Sequence, residues 1–283
     1  MEKIDLHLHT NISDGDLSPD ELVKRCVDVG CSKIAITDHD KINDYSELSE
    51  LYGIPIVNGI EFNCSTRGMH ILGYGISDID KVQKIMNDIE RENEGICYKV
   101  IDALYDSGYD ISVENVLDYM NILGIKVTSL NKKHIVKYLM YKEYVRNVLE
   151  AYNNLIGVGQ KFYYPIRKLS KQEVIDIIKN NGGVSVLAHP STLKLDEVSL
   201  EREISSLVSL GLDGIEVKNK GITSIQSIIY EDMANRFGLI TTVGSDFHTP
   251  YLDIIGIDAS EEVYDKLQKR MKLVKKICYN DNI

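Results

Sequence analysis

Ile4-Asp5-Leu6-His7-Leu8-His9-Thr10 alternates apolar residues with charged or polar ones, the two-residue period of a β-strand. That period sends His7 and His9 to one face of the strand, two positions apart. Two imidazoles on one face suggest a metal. The same pattern also suits a half-buried strand whose histidines meet solvent, so the rest of the chain has to separate these readings.

Outward from this strand, a polar turn over Asn11 to Leu17 leads into Ser18-Pro19-Asp20-Glu21. Ser18 and Glu21 have capping-box spacing, and Pro19 suits the first position of a helix. Leu22, Val23, Cys26 and Val27 carry that helix to about Val29, and Gly30 ends it. Lys33 to Thr37 predicts a second strand, Ile54 to Ile60 a third and His70 to Tyr74 a fourth. Ser170 and Glu173 repeat the capping spacing before a helix to Asn180, which Gly182 and Gly183 break. Val184 to Ala188, Asp213 to Val217 and Leu239 to Val243 read as further strands, with helical patterns over Glu197 to Leu210 and Thr223 to Phe237. A closing helix spans roughly Glu261 to Lys275, and its lysines from Lys266 to Lys276 read as a solvated face.

Seven strands alternating with helices predict a parallel α/β architecture with barrel-like closure. The rhythm stops between Glu90 and Tyr164, a stretch rich in Tyr and Asn whose pattern is helical. Residues 1–89 and 165–283 are therefore expected to form the barrel, with 90–164 a helical insertion between strands 4 and 5 that could cap a site.

Composition bounds the function. With 43% hydrophobic and 27% charged residues the chain has the make-up of an ordinary globular protein, and no apolar run approaches the length of a membrane span. No basic, apolar leader opens the chain, so a cytoplasmic location is expected. Cys26, Cys31, Cys64, Cys97 and Cys278 are odd in number, scattered and never in a C-x-x-C pair, which points away from a disulfide framework and from a thiolate zinc site. A net charge of −11 opposes binding to duplex DNA, yet a small phosphorylated substrate remains compatible if bound cations make a positive pocket.

Five of the seven histidines, His7, His9, His39, His189 and His248, fall at or just past the C-terminal end of a predicted strand, as do Glu61 and Asp246. In parallel barrels that end carries the active site. His70 leads its apolar run instead of ending it. Imidazoles mixed with carboxylates, without thiolates, suit zinc, manganese or iron. There are more such ligands than one ion needs, so two or three divalent ions are expected, with Glu61 a candidate bridge.

This set closely resembles the PHP family, named for the polymerase and histidinol phosphatase proteins that share it. The matching motifs are Asp5-Leu6-His7-Leu8-His9-Thr10, Ser13-Asp14-Gly15, Thr37-Asp38-His39-Asp40, Gly59-Ile60-Glu61, His70-Ile71-Leu72-Gly73-Tyr74, Ala188-His189-Pro190 and Gly244-Ser245-Asp246-Phe247-His248. The resemblance implies a distorted seven-stranded (β/α) barrel around a trinuclear metal centre. His7, His9, Glu61 and Asp246 would hold one ion, Glu61, His70 and His189 a second, and Asp14, His39 and His248 the third. Asp5 and Asp38 would orient ligand imidazoles.

Within the family, Asn131 to Leu139 with Tyr163-Tyr164-Pro165 and Lys168-Leu169-Ser170 is similar to a small-molecule branch acting on nucleotides. That branch commonly has Arg-Pro-His where this chain has Lys132-Lys133-His134, so a planar bidentate phosphate clamp is replaced by a point charge. The expected activity is hydrolysis of a small phosphate monoester, a nucleoside monophosphate or 3',5'-bisphosphate, by a metal-activated water without a protein nucleophile. His134, Lys132 and Arg167 are the expected phosphate contacts, while Arg67 reads as a solvated surface arginine. Three alternatives stand beside this: a histidinol-phosphate phosphatase, a 5'-3' exonuclease on short RNA, and a non-catalytic metal-binding regulatory module.

Overall fold

A computed structural model describes residues 1–280, with side chains up to residue 276, so the side chain of Cys278 lies outside the described residues. The strands are β1 (Glu2–Leu8), β2 (Cys31–Ile36), β3 (Ile56–Asn63), β4 (His70–Tyr74), β5 (Val184–Leu187), β6 (Gly214–Lys218), β7 (Ile240–Val243) and β8 (Ile257–Ala259). The α-helices are α1 (Pro19–Asp28), α2 (Ser46–Tyr52), α3 (Ile79–Asp106), α4 (Val113–Ile122), α5 (Lys132–Tyr141), α6 (Val148–Ala151), α7 (Lys171–Asn180), α8 (Glu197–Leu210), α9 (Ser224–Phe237) and α10 (Glu262–Asn280). The chain divides into two compact units, one of Met1–Lys84 with the chain from Leu169 onward, the other Ile85–Lys168.

Among the described residues, eight strands form one sheet in the order β7-β6-β5-β4-β3-β2-β1-β8, one more strand than the seven expected. The eighth, β8, pairs antiparallel with Glu2 to Ile4 of β1 and is too short for a periodic signal in sequence. The sheet is not wholly parallel either: β4 runs antiparallel to both β3 and β5. The stretch from Cys64 to Met69 is far below the dozen or so residues that a parallel crossover needs, so β4 can only turn back. Its reversed direction explains His70. The start of β4 lies beside the end of β3, with His70 opposite Asn63, so a residue that leads its strand reaches the same end of the sheet as Glu61.

The two ends of the sheet approach each other at the C-terminal end of β1. Leu8 bridges Phe247 in parallel, the His9 N–H donates to Phe247 O at 3.0 Å, and the Asp246 N–H donates to His7 O at 2.9 Å. Gly244 makes this approach feasible, because a Cβ there would lie 2.3 Å from His7 Cβ and 2.6 Å from His7 N.

Outside the strands the helices bury apolar stripes. In α1, Ser18 and Glu21 close the capping box, worth about 1 kcal/mol, and Leu22, Val23 and Cys26 are buried among Ile34, Ile36 and Ile54. Ser170 and Glu173 cap α7 in the same way. Inside, the sheet is polar where a soluble core would be apolar: Asp5, His7, His9, Glu61, Ser185, Glu216 and Thr242 are all buried. The second unit has its own core, in which Val100, Ile101 and Leu104 of α3 share a cluster with Val116 of α4 and Ile135, Val136 and Leu139 of α5. Among the described residues no helix is long and apolar enough to cross a membrane.

Candidate metal centre

Glu61 is the hub. It lies near the end of β3, wholly buried, and beside His39 because the chain leaving β2 continues the pairing: the Asp40 N–H donates to Glu61 O at 2.9 Å and the Glu61 N–H to Asp38 O at 3.1 Å. Glu61 Oε1 is 2.8 Å from both His70 Nδ1 and His189 Nε2. Its Oε2 is 3.2 Å from His7 Nε2, 3.1 Å from His9 Nε2 and 3.2 Å from His39 Nδ1. Asp246 Oδ1 closes the group at 3.5 Å from His7 Nε2 and 3.3 Å from His9 Nε2. Farther out, Asp14 Oδ1 is 3.3 Å from His248 Nε2 and 3.8 Å from His9 Nδ1, and its Oδ2 is 3.9 Å from His39 Nε2.

Three overlapping sets bring their ligand atoms within 4.8 Å of one another: His7, His9, Glu61 and Asp246; His9, Asp14, His39 and His248; and His39, Glu61 and His70. The first is the quartet expected from sequence. The second adds His9 to the expected trio, and the third contains His39, while His189 reaches Glu61 directly.

The hydrogen bonding of the site tests whether metal suits it. His7 Nε2, both ring nitrogens of His9 and Glu61 Oε2 are buried without a hydrogen-bond partner, although His7 Nε2 and His9 Nε2 lie 3.2 and 3.1 Å from Glu61 Oε2. An orphaned buried polar atom costs about 1–3 kcal/mol, and here several collect at one point. Donor atoms placed about 2.1 Å from one ion in a tetrahedron lie roughly 3.4 Å apart, close to the spacing found between these side chains. The donor set fits a cluster of divalent cations.

Electrostatics point the same way. Burial works against charge on Glu61, but the charge and close approach of His7 and the contacts of His189 and His70 overcome it and hold the carboxyl well below its usual range. Asp14 is brought down to about 2, where burial is outweighed by the His248 hydrogen bond and the charges of His39, His248 and His9. His9 rises to about 9: burial disfavours its charge, and the adjacent carboxylates of Asp246 and Glu61 restore it. The carboxylates stay ionised and draw positive charge inward, a demand that cations can meet in place of protons.

Backbone strain marks the turns that aim two of the candidate ligands. His189 at φ 23° and Asp246 at φ 55° occupy left-handed conformations that cost side chains about 1–3 kcal/mol each. Glycine would relieve that cost. It would also remove the candidate ligand.

Glu216 is a residue of the candidate site that the sequence reading missed. It sits mid-strand in β6, where Ile215 and Val217 look like the buried face and Glu216 like the solvated one. In the curled sheet both faces are buried. Glu216 Oε1 is 3.0 Å from His7 Nδ1, and its Oε2 accepts from the His189 N–H at 2.7 Å and from Asn219 Nδ2 at 2.9 Å. A carboxylate on Nδ1 fixes the His7 tautomer and leaves Nε2 facing Glu61. Asp5 and Asp38, expected to orient ligand imidazoles, hold backbone and hydroxyl groups of the segments that carry them. Asp5 accepts from the backbone N–H groups of Ser245, Gly256 and His7, and Asp38 from the Thr10 N–H and from the hydroxyls of Thr10, Ser13 and Tyr45. Both tie the segments that carry candidate ligands together, and among the described residues each carboxylate bonds N–H and O–H donors of neighbouring loops.

Glu216→Gln places an amide NH2 either against two N–H donors or against His7 Nδ1, where it forces the other tautomer. The expected result is metal retention weakened about ten- to a hundredfold, read as faster loss of metal to a chelator.

The remaining expected residues belong to the second unit. Lys132 Nζ donates to Tyr164 O at 2.6 Å and lies 5.3 Å over the Tyr163 ring. His134 stands at the third position of α5, where its Nδ1 accepts from the Asn131 N–H at 3.2 Å in a capping box. Arg167 Nη1 is 3.7 Å from Glu92 Oε2.

The PHP domain pattern matches residues 5–222. The chain belongs to the PHP family. Three characterised relatives are similar over nearly their full length. A 5'-3' exoribonuclease of Haemophilus influenzae is 29% identical over 88% of this chain and 91% of its own. A phosphoribosyl 1,2-cyclic phosphate 1,2-diphosphodiesterase of Eggerthella lenta is 29% identical over 86% of this chain and 93% of its own. A 3',5'-nucleoside bisphosphate phosphatase of Chromobacterium violaceum is 26% identical over 88% of each. The fold is also that of a Chromobacterium violaceum protein solved with sulfate bound and no metal and described as an amidohydrolase, with TM-score 0.70, 24% identity and coverage of 94% of this chain and 96% of that one. The chain is thus a PHP enzyme, a metal-dependent phosphoric ester hydrolase.

Proposed function

We propose that this PHP enzyme hydrolyses a phosphate monoester of a small nucleotide, a nucleoside monophosphate or a 3',5'-bisphosphate, at a centre of two or three manganese, zinc or iron ions. The observation that carries this reading is Glu61 with five imidazole nitrogens around its two oxygens and orphaned polar atoms beside it. His7, His9, Glu61 and Asp246 would hold one ion, Glu61, His70 and His189 a second, and His9 with Asp14, His39 and His248 a third. Such ions neutralise phosphate oxygens and lower the pKa of a coordinated water. The chain's own part is to keep Glu61, Asp14 and Asp246 ionised, to hold the His7 tautomer through Glu216, and to fix the ligands rigidly on strand ends.

The exoribonuclease and the 3',5'-nucleoside bisphosphate phosphatase named above support a nucleotide substrate. The Haemophilus influenzae exoribonuclease gives specific support to a second reading, end-directed cleavage of short RNA. Manganese-loaded protein should release inorganic phosphate from adenosine 3',5'-bisphosphate, and leave histidinol phosphate untouched. Stepwise mononucleotide release from a 5'-phosphorylated RNA pentamer, with no phosphate from the bisphosphate, would establish the second reading in its place.

Lys132, His134 and Arg167 remain our candidates for substrate phosphate. Lys132→Ala is expected to raise KM for the nucleotide about tenfold with kcat little changed, and Lys132→Arg to lower it, because a guanidinium grips phosphate with two hydrogen bonds. Steady-state kinetics on both variants checks this.

A further inference from the structure

β6 supplies none of the candidate ligands, and yet the segment around its end braces them from behind. Glu216 braces His7 and His189, as described above. Just past the strand, Lys220 Nζ donates to the main-chain carbonyl of Asp246 at 2.7 Å and to Asp253 Oδ1 at 3.1 Å. The same Asp246 carbonyl lies 2.9 Å from His248 Nδ1, so that nitrogen carries the proton and Nε2 is left facing Asp14 at 3.3 Å. Asp253, through Oδ2, accepts from the His248 N–H at 2.8 Å and the Thr249 N–H at 3.1 Å. One ammonium group therefore ties together the carbonyl that sets the His248 tautomer and the carboxylate that holds the His248 backbone.

We propose that Lys220 is a positioning residue of the metal centre, which fixes Asp246 and His248 so that their ligand atoms meet the ions. It acts through these residues and needs no contact with metal or substrate. The assignment rests on the metal-centre reading of the site.

Charge alone predicts the opposite effect, and this makes the proposal testable. Lys220 Nζ is 4.0 Å from Asp246 Oδ2, and a cation so close to a ligand repels metal. If repulsion were its only effect, removing it would tighten binding. If it positions ligands, removing it loosens binding.

The experiment compares wild-type protein with Lys220→Met and Lys220→Arg, all loaded with manganese. Metal content after desalting, the rate of manganese loss to EDTA and the melting temperature of the metal-stripped proteins are measured. The expected result is manganese loss about tenfold faster in Lys220→Met, with partial recovery in Lys220→Arg, and metal-free melting temperatures within about 2 °C of one another. Excess manganese should restore kcat to Lys220→Met. Equal or slower loss from Lys220→Met overturns the proposal and leaves the metal centre standing. A melting temperature that falls in the metal-stripped Lys220→Met protein overturns it as well, since the lysine would then serve the fold at large. A wild-type protein that retains no manganese overturns both the proposal and the metal reading beneath it.

Discussion

Glu61→Gln abolishes phosphate release, with an expected fall of about a thousandfold or more in kcat. The substitution keeps shape and volume, removes the negative charge and turns one acceptor oxygen into an amide donor. That atom faces either His70 Nδ1 and His189 Nε2 at 2.8 Å, or His7, His9 and His39 at 3.1–3.2 Å. An amide nitrogen has no lone pair to give a cation and cannot bridge two. Elemental analysis of the purified variant should find metal lost in parallel with activity. Full activity in Glu61→Gln would remove Glu61 from the centre of the account.

Gly244→Ala has the largest expected effect on the fold. Its new Cβ would lie 2.3 Å from His7 Cβ, 2.6 Å from His7 N and 2.9 Å from His7 Cα, so the backbone has to yield on one side or the other. Overpacking against a main chain costs about 1–3 kcal/mol or more, and in a chain of this size a melting temperature lower by about 5 °C is expected. The shift falls on the Asp246 N–H to His7 O bond, which places two proposed ligands, so metal affinity should drop with stability. Differential scanning calorimetry with and without manganese separates the two losses. Unchanged melting would mean that β1 and the chain leaving β7 do not approach as described.

Much of this was legible in the chain because the candidate ligands occupy places with a strong local signature. His7 and His9 come at the end of an alternating run, and His39, Glu61, His189, Asp246 and His248 each follow or close an apolar one, so strand ends could be found without knowing the sheet. What stayed hidden depends on how the strands curl. Glu216 carries no signal of its own in the sequence, because alternation separates two faces of a strand without saying that both are covered. Asp5 and Asp38 are acidic neighbours of ligand histidines in sequence, but their partners are N–H and O–H groups of other loops, Ser245 and Gly256 for one and Thr10, Ser13 and Tyr45 for the other. The reversal of β4 had a readable cause, the short stretch between Asn63 and His70, and that same reversal places His70. β8 left no such trace, since Ile257 to Ala259 is shorter than any pattern that could announce it.

The most direct test of the central claim is phosphate release from adenosine 3',5'-bisphosphate, followed in metal-stripped protein as manganese is added back. The account predicts no turnover without metal, recovery as manganese is restored, and adenosine monophosphate and inorganic phosphate as equimolar products. Manganese-loaded protein that binds its ions and yet frees no phosphate from this or any nucleoside monophosphate would contradict it.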